Sequence, residues 1–139
     1  MRKILIPIIL VLSLQSCNIV ESYICKEGNS DSEVFRAKSN AISTDSNLAK
    51  EKALFNAKAD IAEEIDAYIL DKYSYQTFLA DPEFEAKLNT ARKNMLNEIS
   101  IVCSKTIPKK DMYKSFVSIE ISRQSIDDEL ERRLNEETQ

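Results

Sequence analysis

The stretch SNLAKEKALFNAKADIAEEIDAYIL, residues 46–70, contains neither glycine nor proline and is rich in alanine, leucine, glutamate and lysine. That composition favours a helix, and Asp45, Ser46 and Asn47 are all residue types that cap helix N-termini. Apolar side chains recur at three- and four-residue steps: Ala53, Leu54, Ala57, Ile61, Ile65 and Tyr68. Polar side chains occupy the opposite side: Lys52, Asn56, Asp60 and Glu63. The stretch predicts one long amphipathic helix, and its alanines let it lie close to a neighbouring layer.

A second helix is predicted to begin at Pro82, within the order Asp81-Pro82-Glu83. This order supplies a capping side chain, a first-turn proline and an acid near the positive end of the helix dipole. Glu83 and Lys87 have the spacing of a favourable i,i+4 ion pair. The apolar stripe of this helix is Phe84, Leu88, Ala91, Met95 and Ile99. A final helix is predicted with Ser125 as its cap and a narrow apolar stripe of Ile126, Leu130 and Leu134.

Three segments have the short extended pattern of strands. Residues 33–42 form the first, and residues 101–107 alternate in the manner of a strand until a turn is expected at 108–111. The third segment, 112–122, places Tyr113, Val117, Ile119 and Ile121 on one alternation. We therefore expect a single α+β domain over residues 33–139. It has a small antiparallel sheet of about three strands, packed by two long helices, with a C-terminal helix.

The first residues have the layout of an export signal, with Arg2 and Lys3 before an apolar run over residues 4–14. A helix needs roughly 20 apolar residues to cross the hydrocarbon core of a bilayer. Because the run is shorter than that, a cleaved signal is favoured over a permanent transmembrane anchor.

Leu14-Gln15-Ser16-Cys17 resembles the lipobox of bacterial lipoproteins, in which a small residue precedes an obligatory cysteine. The resemblance implies that residues 1–16 are a lipoprotein signal peptide and that Cys17 carries the lipids that anchor the chain to a membrane. The alternative is that Cys17 is only a small residue near an ordinary cleavage site. Asn18 is not the aspartate that retains many enterobacterial lipoproteins at the inner membrane. This favours the outer membrane of the cell envelope, although the rule does not transfer to all bacteria.

Removal of residues 1–16 leaves 123 residues and lowers the net charge from −4 to −6, because Arg2 and Lys3 are lost. That length suits one domain, and an acidic chain without a basic cluster is a poor binder of nucleic acid. We interpret residues 17–32 as the lipidated N-terminus and a polar tether, with apolar members that indicate partial packing. Cys25 and Cys103 then remain as an even pair, which either forms a disulfide in an oxidising envelope or stays as two free thiols.

Residues 47–65 resemble the signature helix of the LPP20-like lipoproteins, a family that spaces alanines ahead of an Ala-Arg and an Ile/Leu-Ala-x-x-Ile ending. The matching positions are Ala49, Ala53, Ala57, Ile61, Ala62 and Ile65, while Lys58 stands where an arginine is common. Residues 112–121 also resemble the family's strand of alternating aliphatics. The resemblance covers residues 34–122. It implies an α+β envelope domain related to flagellar-assembly and surface lipoproteins, and it carries no catalytic residues.

Several kinds of chemistry are excluded by residue type. The chain has no histidine, which removes the commonest general base and metal ligand, and Gly28 is its only glycine, which removes phosphate-cradling loops. Carboxylates cluster at Glu63-Glu64 and at residues 127–129, where neighbours in sequence point in different directions on a helix. We interpret them as a solvated face or as acids in a helix N-terminal turn, rather than as a catalytic pair or a calcium loop. We therefore expect no enzyme activity, no metal and no cofactor.

The remaining candidate for binding is aromatic: Tyr68, Tyr73, Tyr75 and Phe78. These rings either form a surface that anchors a partner or close one end of the core. The favoured function is a non-enzymatic envelope lipoprotein, held at the membrane by its lipids, that serves interaction or assembly with an envelope protein. The alternative function is a small-ligand binder whose pocket, between the helices and the sheet, is lined by Tyr68, Tyr75 and Phe78.

Overall fold

The computed structural model describes residues 21, 24–26, 28–73 and 82–135. The elements run in the order β1 (Val34–Ser43), α1 (Ser46–Tyr73), α2 (Pro82–Asn97), β2 (Ser100–Lys109), β3 (Met112–Ser122) and α3 (Arg123–Leu134). The predicted α+β class with a C-terminal helix is confirmed. The predicted signal peptide, residues 1–16, lies outside the described residues, and so do Cys17, Tyr75, Phe78 and Asp81.

The sheet has the strand order β1-β3-β2, with β3 antiparallel to both neighbours. Val117, Ile119 and Ile121 of β3 are buried, and so are Phe116 and Ser118, which point to the other side of the strand. The central strand is therefore covered on both faces. Tyr113, predicted on the same alternation as Val117, lies near the start of β3 and is exposed.

Helix α1 covers one face of the sheet, against β1 and β3. It runs three residues beyond the predicted end, and its fully or nearly fully buried residues recur at every fourth position: Ala49, Ala53, Ala57, Ile61, Ile65 and Ile69. The three alanines have no exposed surface, in keeping with the close approach expected of them. Tyr68, predicted in the stripe, lies beside it and is half-buried.

Helices α2 and α3 pack against each other and complete the core. Helix α2 begins at Pro82 as predicted, and Lys87 and Glu83 form the expected pair at 3.1 Å. Leu88, Ala91 and Met95 are buried. Ile99, predicted as the last residue of the stripe, lies beyond the end of the helix and packs partly buried against the core. The apolar periodicity thus identified the core side of α2 correctly.

The cap of α3 differs from the prediction. Strand β3 passes directly into α3, and Ser122, with extended φ and ψ of −67° and 136°, is its N-cap and accepts a hydrogen bond from the amide of Ser125. Ser125 is therefore inside the first turn rather than capping it. The prediction was wrong because it assumed a loop between strand and helix. Ile126 and Leu130 are buried as expected.

Candidate functional site

The described residues before β1 (21, 24–26 and 28–33) are called the N-terminal segment. A disulfide between Cys25 and Cys103, whose α-carbons are 5.4 Å apart, bonds this segment to the sheet. Cys103 lies on β2 opposite Ser118 of β3. Because Val117 and Ile119 point toward α1, Ser118 points to the other side, which we call the outer sheet face and define by Arg36, Cys103, Phe116, Ser118 and Glu120. The disulfide therefore attaches the segment to the face that α1 leaves uncovered.

A second attachment lies closer to the β2–β3 turn. The Glu21 carboxylate accepts hydrogen bonds from Lys114 at 2.6 Å and from Lys109 at 3.0 Å. The hydrogen bonds from Lys114 and Lys109 hold the pKa of Glu21 below its ordinary value. Lys114 also lies over the Phe116 ring, 5.0 Å from its centroid. The segment thus leads from Cys103 toward the turn between β2 and β3.

Within the stretch predicted as a tether, the described residues Ser30 and Asp31 also contact the domain. The Ser30 hydroxyl accepts a hydrogen bond from the Arg36 amide at 2.9 Å, beside the edge of β1. The Asp31 carboxylate accepts from the Glu33 and Val34 amides at 2.8 and 3.0 Å. Backbone and side-chain contacts thus fix the described part of residues 17–32 to the sheet.

At the opposite end of the sheet, a polar cluster joins α1 to α3. The Tyr68 hydroxyl donates to Asp127 at 2.8 Å, and Lys72 donates to the same carboxylate at 2.7 Å. The Tyr68 ring packs edge-on against Phe35, with centroids 5.4 Å apart. The Arg123 guanidinium lies 3.9 Å from the Phe35 centroid. Three elements, α1, β1 and α3, thus meet around Tyr68.

The electrostatics of this cluster favour a stable ion pair between Lys72 and Asp127. Burial and the hydrogen bond to Asp127 raise the pKa of Tyr68, and the hydrogen bond to Asp127 raises the pKa of Lys72. Burial alone would raise the pKa of Asp127, but hydrogen bonds from Lys72 and Tyr68 hold it below its ordinary value. All three groups keep their usual protonation states at neutral pH, which does not suit general acid–base exchange.

The aromatic residues singled out from the sequence separate into two groups. Tyr68 borders a polar cleft of about 370 Å³ at the surface, whose lining includes Ser32, Glu33, Arg123 and Asp127. Tyr73 packs edge-on against Phe84, with centroids 5.9 Å apart, at the rim of the core. Tyr75 and Phe78 lie outside the described residues. The two described rings therefore pack onto the core.

Glu129 is a buried, hydrogen-bonded carboxylate that sequence analysis missed. It was predicted to lie on a solvated face or in a helix N-terminal turn, but it lies beyond the first turn of α3 and is 5% exposed. Asn94 donates to it at 2.7 Å, and Arg132 and Arg133 also donate to its oxygens. The solvated interpretation is therefore wrong for Glu129, because α2 packs over it. The spacing of Arg132 and Arg133, three and four residues later, was the available signal.

The carboxylates predicted to point apart do so in the structure. Asp127 contacts α1, Glu129 contacts α2, and Asp128 is exposed and accepts from Gln124 at 2.7 Å. Within the part of the chain that the structure describes, no group of three potential metal ligands occurs. Across those same residues, no helix is both long and apolar enough to span a bilayer.

Comparison with known proteins adds no family to this description. Neither a family model nor a curated protein matches the chain. The resemblance to LPP20-like lipoproteins therefore stays a prediction based on the residues quoted above.

Proposed function

We propose that this chain is a bacterial envelope lipoprotein, anchored through lipids on Cys17, whose α+β domain serves protein interaction or assembly without catalysing a reaction. The export signal and the lipobox-like sequence ending at Cys17 support the anchor. The outer membrane is the favoured location, since Asn18 lacks the carboxylate of the inner-membrane retention signal.

The observation that carries the proposal is the disulfide between Cys25 and Cys103, only eight residues after Cys17. Structural disulfides persist in oxidising compartments, such as the bacterial periplasm and the cell surface, and are rare in the cytoplasm. The bond therefore fits a chain that is exported before it folds. It also fixes Cys25, eight residues after the proposed lipid attachment point, to the sheet.

A non-enzymatic role is supported by the state of the ionisable groups. Asp127 and Glu129, the carboxylates with the most extensive contacts in α3, each accept hydrogen bonds from cationic side chains. Such pairing stabilises contacts between helices and leaves the carboxylates poorly placed to exchange protons with a substrate. The cleft beside Tyr68 has a polar lining, and Tyr75 and Phe78, the other residues predicted to line an aromatic pocket, lie outside the described residues.

Metabolic labelling tests the anchor. Bacteria that express the full chain are grown with an alkyne-bearing fatty acid, and the label is detected on the purified protein. We expect label on the parent chain, none on a Cys17→Ser chain, and accumulation of the uncleaved precursor when the lipoprotein signal peptidase is inhibited. A chain with both Cys25→Ser and Cys103→Ser keeps Cys17 and should still be labelled. Label that persists in Cys17→Ser would contradict the proposal.

Cross-linking in cells tests the interaction role. A photo-reactive amino acid replaces Phe55, a phenyl ring that is 73% exposed on the side of α1 away from the sheet. We expect a discrete adduct with an envelope protein from the anchored chain and a weaker one from Cys17→Ser, because anchoring concentrates the domain near its partner. An adduct pattern that does not depend on Cys17 would argue against a membrane-localised partner.

A further inference from the structure

We propose that one end of the domain, which we call the hairpin end, lies against the lipid surface. The hairpin end comprises Ile42, Leu48, Lys110, Met112 and Tyr113. This inference rests on the proposed lipid anchor and adds an orientation to it. It follows from the path of the N-terminal segment, the length of chain that precedes it, and the side chains exposed at that end.

The path of the N-terminal segment points to this end. Going backward along the chain, Cys25 is bonded at the level of Cys103 and Ser118, whereas Glu21 contacts Lys109 and Lys114. Lys109 pairs with Met112, the last pair before the β2–β3 turn. The chain therefore enters the domain at the hairpin end, on the outer sheet face.

The reach of the preceding residues restricts where the lipid can be. Four residue steps separate Glu21 from Cys17, and an extended chain spans at most about 14 Å over that distance. Strand β3 rises about 26 Å between Lys114 and Ser122, at roughly 3.3 Å per residue. Cys17 therefore cannot reach the end of the sheet where Tyr68 and Asp127 lie. Anchoring holds the hairpin end close to the bilayer.

The hairpin end carries half of the exposed large apolar side chains of the described residues, whereas Leu70, Ile101 and Val102 lie toward the other end of the sheet. Among the described residues, eight large hydrophobic side chains are exposed, and four of them are Ile42, Leu48, Met112 and Tyr113. Ile42 pairs with Lys114 and Ser43 pairs with Tyr113, so β1 ends beside the hairpin, and Leu48 follows in the first turn of α1. Apolar side chains with tyrosine and lysine at their margin suit the interface between lipid and water.

Charge has a small part in this contact. Lys109, Lys110 and Lys114 are offset by Glu21, Asp45 and Asp111 in the same region. The occupant to which the structure points is thus a lipid surface entered by apolar side chains, rather than a specifically anionic membrane. We expect little dependence of the docked orientation on salt or on the anionic lipid content.

A single tryptophan reports this orientation, because the chain has none of its own. The probe position is Met112→Trp, and the matched control is Leu70→Trp. Both side chains are 41% exposed, but Leu70 lies 22 residues along α1 from Leu48, a helical rise of about 33 Å. Tyr113→Trp is a second probe at the hairpin end, should Met112→Trp disturb the turn.

The measurement uses the full lipidated chain in phosphatidylcholine vesicles that contain acyl-brominated lipid. We expect the emission of Met112→Trp and Tyr113→Trp to shift to the blue and to be quenched by the brominated lipid, while Leu70→Trp shows neither effect. Equal quenching at the two ends, or quenching of Leu70→Trp alone, would overturn the orientation. Absence of quenching at both Met112→Trp and Tyr113→Trp would also overturn it, because the hairpin end would then be covered by protein or solvent rather than by lipid.

The intact mass of the same samples separates the two proposals. A chain that carries lipid mass but fails the quenching test refutes the orientation and leaves the anchor standing. A chain without lipid mass refutes the anchor, and with it the orientation that depends on the anchor.

Discussion

Asn94 of α2 donates a hydrogen bond of 2.7 Å to the buried carboxylate of Glu129 on α3. Burial alone would raise the pKa of Glu129, but the hydrogen bonds from Asn94, Arg132 and Arg133 lower it below its ordinary value of 4.5. A carboxyl whose pKa is lower in the folded state contributes stability above its unfolded pKa. That contribution is lost as the pH falls from 4.5 through the folded pKa.

Replacement of Glu129 should therefore have a pH-dependent effect. Glu129→Gln removes a charge that three side chains hydrogen-bond, so we expect the free energy of unfolding to fall by about 1–3 kcal/mol at neutral pH. The difference from the parent should shrink as the pH falls below 4.5 toward the lowered pKa of folded Glu129. Urea unfolding at about pH 7 and about pH 3 measures both values. Asp128→Asn, at the exposed neighbouring position, should change little, and an equal loss for Glu129→Gln at both pH values would contradict this account.

The disulfide should be a major contributor to stability, because 78 residues separate Cys25 from Cys103. Closing so long a loop reduces the conformational entropy of the unfolded chain. Replacement of both cysteines by serine is expected to lower the free energy of unfolding by about 4 kcal/mol. The check is urea unfolding with and without a thiol reductant, which should destabilise the parent and leave the double variant unchanged. A parent insensitive to reductant would show that the bond is absent.

Small side chains are required where α1 lies on the sheet. Ala53 has no exposed surface and faces the core, so Ala53→Leu should destabilise the fold by about 1–3 kcal/mol through overpacking. Ala59→Leu places the same side chain at an exposed position of the same helix and should be close to neutral. Thermal unfolding followed by circular dichroism compares the two. Equal transition temperatures would show that α1 does not pack closely at Ala53.

Two serine substitutions test whether Ser122, rather than Ser125, is the N-cap of α3. Ser122→Ala removes the N-cap and should cost about 1 kcal/mol, whereas Ser125→Ala removes a side chain inside the first turn and should cost less. Chemical unfolding of the two variants under the same conditions gives the comparison. A larger loss of stability in Ser125→Ala than in Ser122→Ala would indicate that Ser125 is the cap.

Features that depend on residues close in sequence could be predicted from the sequence. The α1 stripe, the start of α2 at Pro82 and the alternation in β3 each follow from a local repeat or capping pattern. Features that depend on a distant partner could not. Glu129 resembles its neighbours Asp127 and Asp128 in sequence. Its pairing with Arg132 and Arg133 follows from local spacing, but its burial depends on the packing of α2 over it.

The N-terminal segment illustrates the same limit. Its polar composition, from Lys26 to Ser32, is typical of a flexible linker. Cys25 and Glu21, however, attach the segment to the sheet. Their partners, Cys103 and Lys114, lie about 80 to 90 positions away in the sequence. The even cysteine count left a disulfide open as one of two alternatives, but nothing local indicated that Glu21 would pair with the hairpin.

Intact mass and detergent partitioning of the full chain produced in bacteria test the central claim most directly, with a Cys17→Ser chain beside it. We predict that the parent begins at Cys17, carries the added mass of its acyl chains and enters the detergent phase, while Cys17→Ser carries no lipid mass and stays in the aqueous phase. A parent chain that is cleaved without lipid, or that keeps residues 1–16 and no lipid, would contradict the claim that Cys17 anchors this protein to the membrane.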